Sequence, residues 1–418
     1  MNETDKPQAY HVAWYVDGQS ARRDVTVWIA NGRLQGTEAG CATGAIDLGR
    51  VALIPGLVNA HTHLEFSLLP QPIPTAGRFT DWIRSVVSYR REHPTETGRA
   101  IRQGVAESIR SGTTLVGDIA TTGWVGGDYQ AAGFQGVVFQ ELLGLGDERV
   151  AMQCDLAHSI VAELGPDQQI KYGLSPHAPY SVHPRLLDAA VDIAGKASRP
   201  VAMHLAETPA EMELLAHGTG EFYEMLTSFG IWRDGLFGGK RAADYLRRLA
   251  ESPRALVVHG NYLDQGDLEF LAANPQMTLV YCPRTHAAFG HRDHPWRRLL
   301  ALGGAVAIGT DSRASNPDLS LFAELQFLAA QNPDVSHLEL LTLGSQAGRR
   351  ALLGDSAPTG QADFCVVAGD GSTDLDPARN LFAAGNRVIG TMINGRWWYA
   401  DGRLPVEAGE TSDPISEK

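Results

Sequence analysis

Long apolar stretches are missing: nothing in the 418 residues approaches the roughly 18 consecutive apolar positions that a membrane span needs, so no membrane-spanning segment is expected. Cysteine is scarce. Cys41, Cys154, Cys282 and Cys365 stand far apart without a CxxC pair or regular spacing, which gives no disulfide framework. Positive charge is in deficit as well. With 35 Lys and Arg against 48 Asp and Glu, a net charge of −13 and no basic run, the chain repels phosphate backbones and anionic headgroups, so neither nucleic acid nor a membrane surface is an expected partner. Residues 1–10 carry Glu3, Asp5 and Lys6 with no apolar core behind them, and do not read as a secretory signal. A reducing cytoplasm is the expected compartment. Low-complexity segments are absent too.

What is present is apolar material in short, punctuated runs. Hydrophobic residues make up 44% of the chain, enough for a large core. Val- and Ile-rich runs at residues 51–58, 113–117, 136–139, 170–174, 200–204, 255–259, 278–282 and 305–309 alternate with stretches of helical periodicity, among them 81–93, 96–111, 184–194, 209–229 and 319–330. Eight parallel strands with helices between them is the count that closes a (β/α)8 TIM barrel. The ends have another texture. Residues 9–16 and 24–30 alternate and meet the Asn31-Gly32 hairpin signal; residues 362–368 and 388–393 repeat the pattern and meet Asn394-Gly395 before 396–400. The expected architecture is an α/β barrel over residues 56–359, flanked by a small β-sandwich domain that both termini build, 1–55 and 360–407. Residues 408–418 are polar and expected to be disordered.

In such a barrel, reactive groups collect at the C-terminal ends of the strands. The first strand runs out into His61-Thr62-His63, the fifth ends at His204, the sixth at His259, and the eighth is followed by Gly309-Thr310-Asp311. Histidines two positions apart at a strand exit point to the same side. His61 and His63 can therefore share one ion, and His204 with Asp311 completes a His₃Asp set that suits one divalent metal, Zn²⁺ first and Fe²⁺ second, with a position left for water. Glu207, three residues after His204, precedes the Thr208 N-cap, Pro209 and the capping-box Glu211, so it falls in the strand-to-helix turn facing the mouth. A carboxylate there can move a proton between the water and a substrate.

These motifs, Pro55-Gly56-Leu57-Val58-Asn59-Ala60-His61-Thr62-His63, His204-Leu205-Ala206-Glu207, His259-Gly260 and Gly309-Thr310-Asp311-Ser312, in this order, resemble the amidohydrolase superfamily in its cytosine deaminase and chlorohydrolase-like branch. The resemblance covers nearly the whole chain. It implies that His61, His63, His204 and Asp311 bind a single divalent metal, that Glu207 shuttles the proton, that His259 orients or polarises the attacked group, and that Asp311 also helps activate water. Two-metal branches such as dihydroorotases and ureases use a carboxylated lysine at the end of the fourth strand. Here that strand ends Leu174-Ser175-Pro176-His177, with Lys171 near its start, so one metal is expected. The H-x-E and P-C-x-x-C signature of the unrelated cytidine deaminase fold is absent.

The implied activity is hydrolytic deamination of an adenine-like base or nucleoside; the alternative is hydrolysis of another C–N or C–Cl bond, as in chlorohydrolases or imidazolonepropionases. Ser175-Pro176-His177-Ala178-Pro179-Tyr180 is similar to the loop of related adenine-nucleoside deaminases whose histidine touches substrate, which points to His177. His63-Leu64-Glu65-Phe66-Ser67 and Phe79-Thr80-Asp81-Trp82-Ile83 resemble aminodeoxyfutalosine deaminases of menaquinone biosynthesis, beside the methylthioadenosine/S-adenosylhomocysteine deaminases. That resemblance implies substrate contacts for Trp82 and Glu65, the latter with ribose hydroxyls, and a cation for a benzoate, for which Arg284 and Arg313 are the candidates. Both arginines have an alternative role as loop braces. Residues 218–245, with Trp232, Phe237, Gly238 and Gly239, read as either a lid or a subunit contact. The expected partners are a small-molecule substrate and a second copy of the chain in a homodimer.

Overall fold

The computed structural model describes residues 7–18, 20–121, 124, 129, 133–162, 170–354, 360–371 and 375–408. The tail expected to be disordered lies outside them apart from Ala408. The described strands fall into two sheets. One holds β1 (Gln8–Val16), β2 (Ala21–Ala30), β3 (Arg33–Ala39), β4 (Ile46–Asp47), β5 (Val51–Pro55), β14 (Phe364–Ala368), β15 (Arg387–Ile393) and β16 (Arg396–Ala400). The other is all parallel and runs in sequence order through β6 (Leu57–Thr62), β7 (Thr113–Ala120), β8 (Gln135–Leu142), β9 (Ile170–Pro176), β10 (Val201–Leu205), β11 (Ala255–His259), β12 (Met277–Tyr281) and β13 (Ala305–Ile308).

The terminal sheet follows from its turns and its alternation. Asn31-Gly32 and Asn394-Gly395 all have positive φ, 52° and 71° in one pair, 50° and 75° in the other, as a two-residue hairpin of the type I′ class requires. Its strand order, β16-β15-β14-β5-β1-β2-β3, puts three strands between β16 and β1. Yet the rings of Trp397 and Tyr10 meet edge to face at 5.6 Å, and the Trp397 indole N–H donates to the Tyr10 hydroxyl at 3.1 Å. The sheet therefore folds back on itself and encloses its own core, with Val12, Val25, Val27, Leu53, Val366 and Ile389 inside, as the sandwich reading requires.

One expected strand resolves into two. The apolar run at residues 51–58 has no polar interruption, but Gly56 divides it: Val51–Pro55 joins the terminal sheet, and Leu57 begins the barrel. Gly56 donates to the Asp363 carbonyl on one side, and Leu57 to the Gly112 carbonyl on the other. A Cβ at Gly56 would meet the Thr114 side chain at 2.4 Å, so only glycine permits the hand-over. The helix expected over residues 209–229 is likewise broken, into Pro209–His217 and Glu221–Ser228, by Gly218 and Gly220 at φ 68° and 86°.

The barrel closes between its last and first strands. Thr310 and Asp311 both donate to the His61 carbonyl at 3.1 Å, and the Asn59 side chain bridges the seam, accepting from Thr310 N–H at 3.1 Å and donating to its hydroxyl at 2.8 Å. A Cβ at Gly309 would lie 2.8 Å from the His61 carbonyl oxygen. Close approach at this glycine is what brings the eighth strand's carboxylate beside the first strand's imidazoles. Below them the cylinder is filled by Val58, Ala60, Leu115, Val137, Phe139, Leu256, Val258 and Val280. No helix among the described residues is long and apolar enough to cross a membrane.

Candidate metal centre

Four strand ends deliver the donors. The Nε2 atoms of His61 and His204 are 3.3 Å apart, and Asp311 Oδ1 lies 3.6 Å from Nε2 of both His61 and His63. The structure thus brings together the four side chains expected from the sequence. It adds a fifth. Donor atoms of His61, His63 and Asp311 lie within 4.8 Å of one another, and so do those of His61, His204 and His259.

The surroundings prepare these groups as ligands. His204 Nδ1 lies 3.0 Å from the His177 carbonyl, which only accepts, so Nδ1 carries the proton and Nε2 turns its lone pair to the cluster. Burial holds His63, His204 and His259 well below the usual imidazole range. Asp311 goes the other way. Burial opposes its charge, but the hydrogen bond with His61 and the nearby His259 and His63 outweigh it and hold the carboxyl far below the carboxylate range. Its Oδ2 accepts from the Ser315 hydroxyl at 2.6 Å, which leaves Oδ1 facing the imidazoles. Imidazole nitrogens and one carboxylate oxygen converging within 4.8 Å fit a divalent cation of borderline softness.

Glu207 stands at the edge of this cluster, buried, with Oε1 3.5 Å from His259 Nε2. Burial first, then the charges of Asp311 and Glu211, raises its pKa well above the ordinary glutamate value. Three residues at the strand exits, Ala206, His259 and Asp311, have φ of 53°, 67° and 58°, a conformation L-residues adopt at a cost.

A cavity of about 200 Å³ opens over these groups. His63, His177, His204, Glu207, His259, Asp311 and Ser312 line its floor, while Phe66, Phe79, Trp82, Val86, Val87, Met225, Leu226, Phe229 and Ile231 form apolar walls. Trp82 stacks on Phe79 at 5.5 Å and meets Phe289 edge-on. His177 is held by Ser181, with Nδ1 2.7 Å from Oγ, and burial, with Arg90 and His61 nearby, pushes it down to about 3. The helix Glu221–Ser228 lies across the mouth, tied to the helix Phe79–Glu92 by Arg78, which donates to Glu221 at 2.9 Å and Glu224 at 2.6 Å. Of the two roles considered for residues 218–245, this part covers the cavity.

Three expected substrate contacts are placed elsewhere. Arg284 donates to Glu324 at 2.7 Å and Asp318 at 2.6 Å, and Arg313 to Glu107 at 2.8 Å and the Leu69 carbonyl at 2.9 Å. Neither lines the cavity. Each guanidinium braces a loop, because a carboxylate from a flanking helix reaches it first. Glu65 accepts from Arg90 at 2.5 Å and from Thr121 at 2.8 Å, and faces an adjoining cavity that shares only Phe66, Arg90 and Leu143 with the first. Arg90, unexpected from the sequence, is the guanidinium that does reach the wall, already paired with Glu65 and 3.6 Å from Glu141. Its signal was available: Trp82, Ile83, Val86, Val87 and Arg90 recur at helical spacing on one face.

A closed parallel barrel whose mouth gathers five imidazoles and two carboxylates defines a class, that of (β/α)8 barrels with donor groups at the mouth that could hold a metal. A sequence model of the amidohydrolase family matches residues 52–398, and the chain belongs to that family. The 5-methylthioadenosine/S-adenosylhomocysteine deaminase of Nitratidesulfovibrio vulgaris strain Miyazaki F is 29% identical over 419 aligned positions, 93% of this chain and 89% of that protein. The aminodeoxyfutalosine deaminase of a Nitratiruptor species is 28% identical over 72% of this chain and 74% of its own length. Among solved structures, an adenosine deaminase from Xanthomonas campestris with bound zinc superposes with a TM-score of 0.79 at 22% identity, covering 98% of this chain and 96% of that one.

Proposed function

We propose that this protein is a hydrolytic deaminase of an adenine-like base or nucleoside, a small-molecule enzyme of the cytoplasm, with one divalent ion, Zn²⁺, held by His61, His63, His204 and Asp311. The barrel, residues 56–359 in this reading, carries the chemistry; the terminal β domain, 1–55 with 360–407, carries none. The observation that carries the reading is a buried Glu207 with Oε1 3.5 Å from His259 Nε2, set at the edge of the donor cluster. The ion's contribution is to lower the pKa of a water toward 7.

The chain's own groups account for the rest. Trp82 and Phe66 cover the base, and His177 contacts it from the loop after β9. Glu207 gives its proton to the ring nitrogen next to the attacked carbon. Asp311 takes one proton from the attacking water and passes it to the exocyclic amine. The C–N bond then breaks, ammonia leaves, and the remaining hydroxyl proton returns to Glu207, so that the carbonyl forms and the acid is restored. His259 steadies the oxygen that becomes this carbonyl.

An uncharged side group suits the walls best, since Phe79, Val86, Met225, Leu226 and Phe229 are apolar and the one guanidinium among the described lining residues is already paired. The test is metal content followed by ammonia release from adenosine, methylthioadenosine, adenosylhomocysteine, aminodeoxyfutalosine, guanine, cytosine and a chlorinated triazine. One equivalent of zinc and preference for an aminopurine nucleoside with a neutral side group are expected. Chloride release without ammonia, or a metal-free active enzyme, overturns the proposal.

A further inference from the structure

The turn that carries Glu207 has an unusual anchor. β10 stops at Leu205, and the next helix does not begin until Pro209, so the N–H groups of Ala206 and Glu207 lie in neither element. Both are buried. Unpaired buried N–H groups are rare because each forfeits its hydrogen bonds to water. Here a single side chain takes both. Glu211 Oε1 accepts from Ala206 at 2.8 Å and its Oε2 from Glu207 at 2.9 Å.

A glutamate at this position serving only the helix would complete the capping box by accepting from the Thr208 N–H. Glu211 completes half of that box, since its own N–H donates to the Thr208 hydroxyl at 3.1 Å, but its carboxylate reaches past the cap to the two residues before it. It is fully buried one turn into the helix, and each of its two oxygens takes one N–H. The carbonyls of the same two residues are held too. Asn261 donates to the Glu207 carbonyl and Tyr262 N–H to the Ala206 carbonyl, both at 2.9 Å. Ala206, at φ 53°, is left-handed without a glycine's freedom, so this turn depends on its partners for its shape.

We infer that Glu211 is a positioning residue for the Glu207 proton shuttle: its carboxylate, bidentate on the Ala206 and Glu207 N–H groups, sets the direction in which the Glu207 carboxyl enters the cavity. The inference rests on the shuttle assignment above. A misplacement of about 1 Å at a reacting group costs on the order of 10²-fold in rate, so the effect belongs in kcat rather than in binding.

The experiment is a double-mutant cycle on the full-length zinc-loaded enzyme. Glu211→Gln keeps the shape, but its amide nitrogen faces one of the two N–H donors. It is expected to lower kcat by about 10- to 100-fold, with KM and zinc content within twofold of wild type. Placed in a Glu207→Gln background, the same change is expected to cost nothing further, whereas a residue that merely supported the fold would multiply the loss. An unchanged kcat, or equal costs in both backgrounds, overturns the inference. Glu211→Asp, too short to reach both N–H groups, serves the same cycle where Glu211→Gln does not fold. A crystal structure of whichever variant folds supplies a readout independent of activity: the Glu207 carboxyl should leave its 3.5 Å contact with His259, and a Glu207 found in place rejects the idea. Full activity of Glu207→Gln alone, or a wild-type enzyme that turns over no aminopurine, would instead count against the proposed function, and the crystal structure would still decide the anchor.

Discussion

The terminal sheet and the barrel mouth both contain left-handed residues, and they use them in opposite ways. In the sheet these include Asn31, Gly32, Asn394 and Gly395 at two hairpins that need positive φ, and Asp24 within β2 at φ 53°, all of them types that tolerate it. At the mouth they are Ala206, His259 and Asp311. Nothing local favours that conformation in alanine. What holds it there comes from outside the segment: Glu211 and Tyr262 at Ala206, His294 donating to the His259 carbonyl at 2.8 Å, and Thr62 and Thr310 hydroxyls on the Asp311 carbonyl at 3.0 and 2.9 Å. In the sheet, residue type and left-handed conformation go together. The mouth carries local strain, and the geometry of the candidate site is what that strain accompanies.

The largest test of that contrast is removal of the ion or of its anion. Chelation, or Asp311→Ala, should take turnover to background, and Glu207→Gln should lower kcat by roughly 10² to 10⁴-fold while zinc stays bound. Metal analysis beside steady-state kinetics separates the two. The mirror experiment is Trp397→Ala, which empties the contact closing the terminal sheet on Tyr10. About 3–5 kcal/mol of stability should be lost, read by urea unfolding. The kcat of the remaining folded enzyme should not move; a proportionate fall in kcat would mean that the two sheets are functionally coupled.

Arg284 sharpens the same division within the mouth. Replacing it by Met strands Glu324, which is fully buried and also takes the Asn316 amide at 2.5 Å. The loss of one partner from such a pair costs about 3–5 kcal/mol. The ratio of KM values for carboxylate-bearing and neutral nucleosides should stay constant. A selective rise for the carboxylate-bearing one would restore the substrate contact that the sequence suggested.

What the sequence made legible follows the reach of each interaction. His61-Thr62-His63 and His204-Leu205-Ala206-Glu207 are contiguous, and strand-end placement follows from counting βα units, so the donor set was visible. The break at Gly56 was not, because its cause is the Asp363 carbonyl, the Gly112 carbonyl and the Thr114 side chain, all of them distant in the chain. The arginines were left with two roles for a related reason. Loop position told which guanidinium could reach the mouth, but not that Glu324 and Glu107 stand nearer. His259 was legible from the same count, at the end of the sixth strand; that its donor atom comes within 4.8 Å of those of His61 and His204 depends on barrel closure.

Asp118 offers a pH-dependent comparison. It is buried, and accepts from Leu64 N–H at 3.0 Å, the Trp124 indole at 3.0 Å and the Tyr129 hydroxyl at 2.9 Å. Burial outweighs these bonds and pushes its pKa from 3.8 up to about 7. Between those values the unfolded chain has released a proton that the native state keeps. Its contribution is thus complete below pH 3.8 and is lost as pH rises through about 7. Asp118→Asn, neutral throughout, should flatten the decline in unfolding free energy across this window by a few kcal/mol at most. Parallel wild-type and variant curves would mean that Asp118 ionises normally in the fold.

The smallest effect belongs to the sheet's own turns. Gly395 has φ 75°, and a Cβ there would sit 3.0 Å from the Gly32 Cα, while a Cβ on Gly32 would sit 2.9 Å from the Asn394 carbonyl oxygen. The two hairpin glycines are packed against each other. Gly395→Ala therefore meets a left-handed penalty of about 1–2 kcal/mol and a contact that the facing backbone must relieve. The stiffer unfolded chain returns about 0.4–1 kcal/mol. The net loss should be about 1 kcal/mol, measurable as a shift in the urea midpoint at unchanged slope, with kcat and zinc content untouched. Because the hairpin's left-handed residues are chosen for that conformation, the cost of replacing one stays in the sheet. If Gly395→Ala instead changed turnover, strain in the two regions would not be separable, and the division between a sheet that stabilises and a mouth that positions would fail.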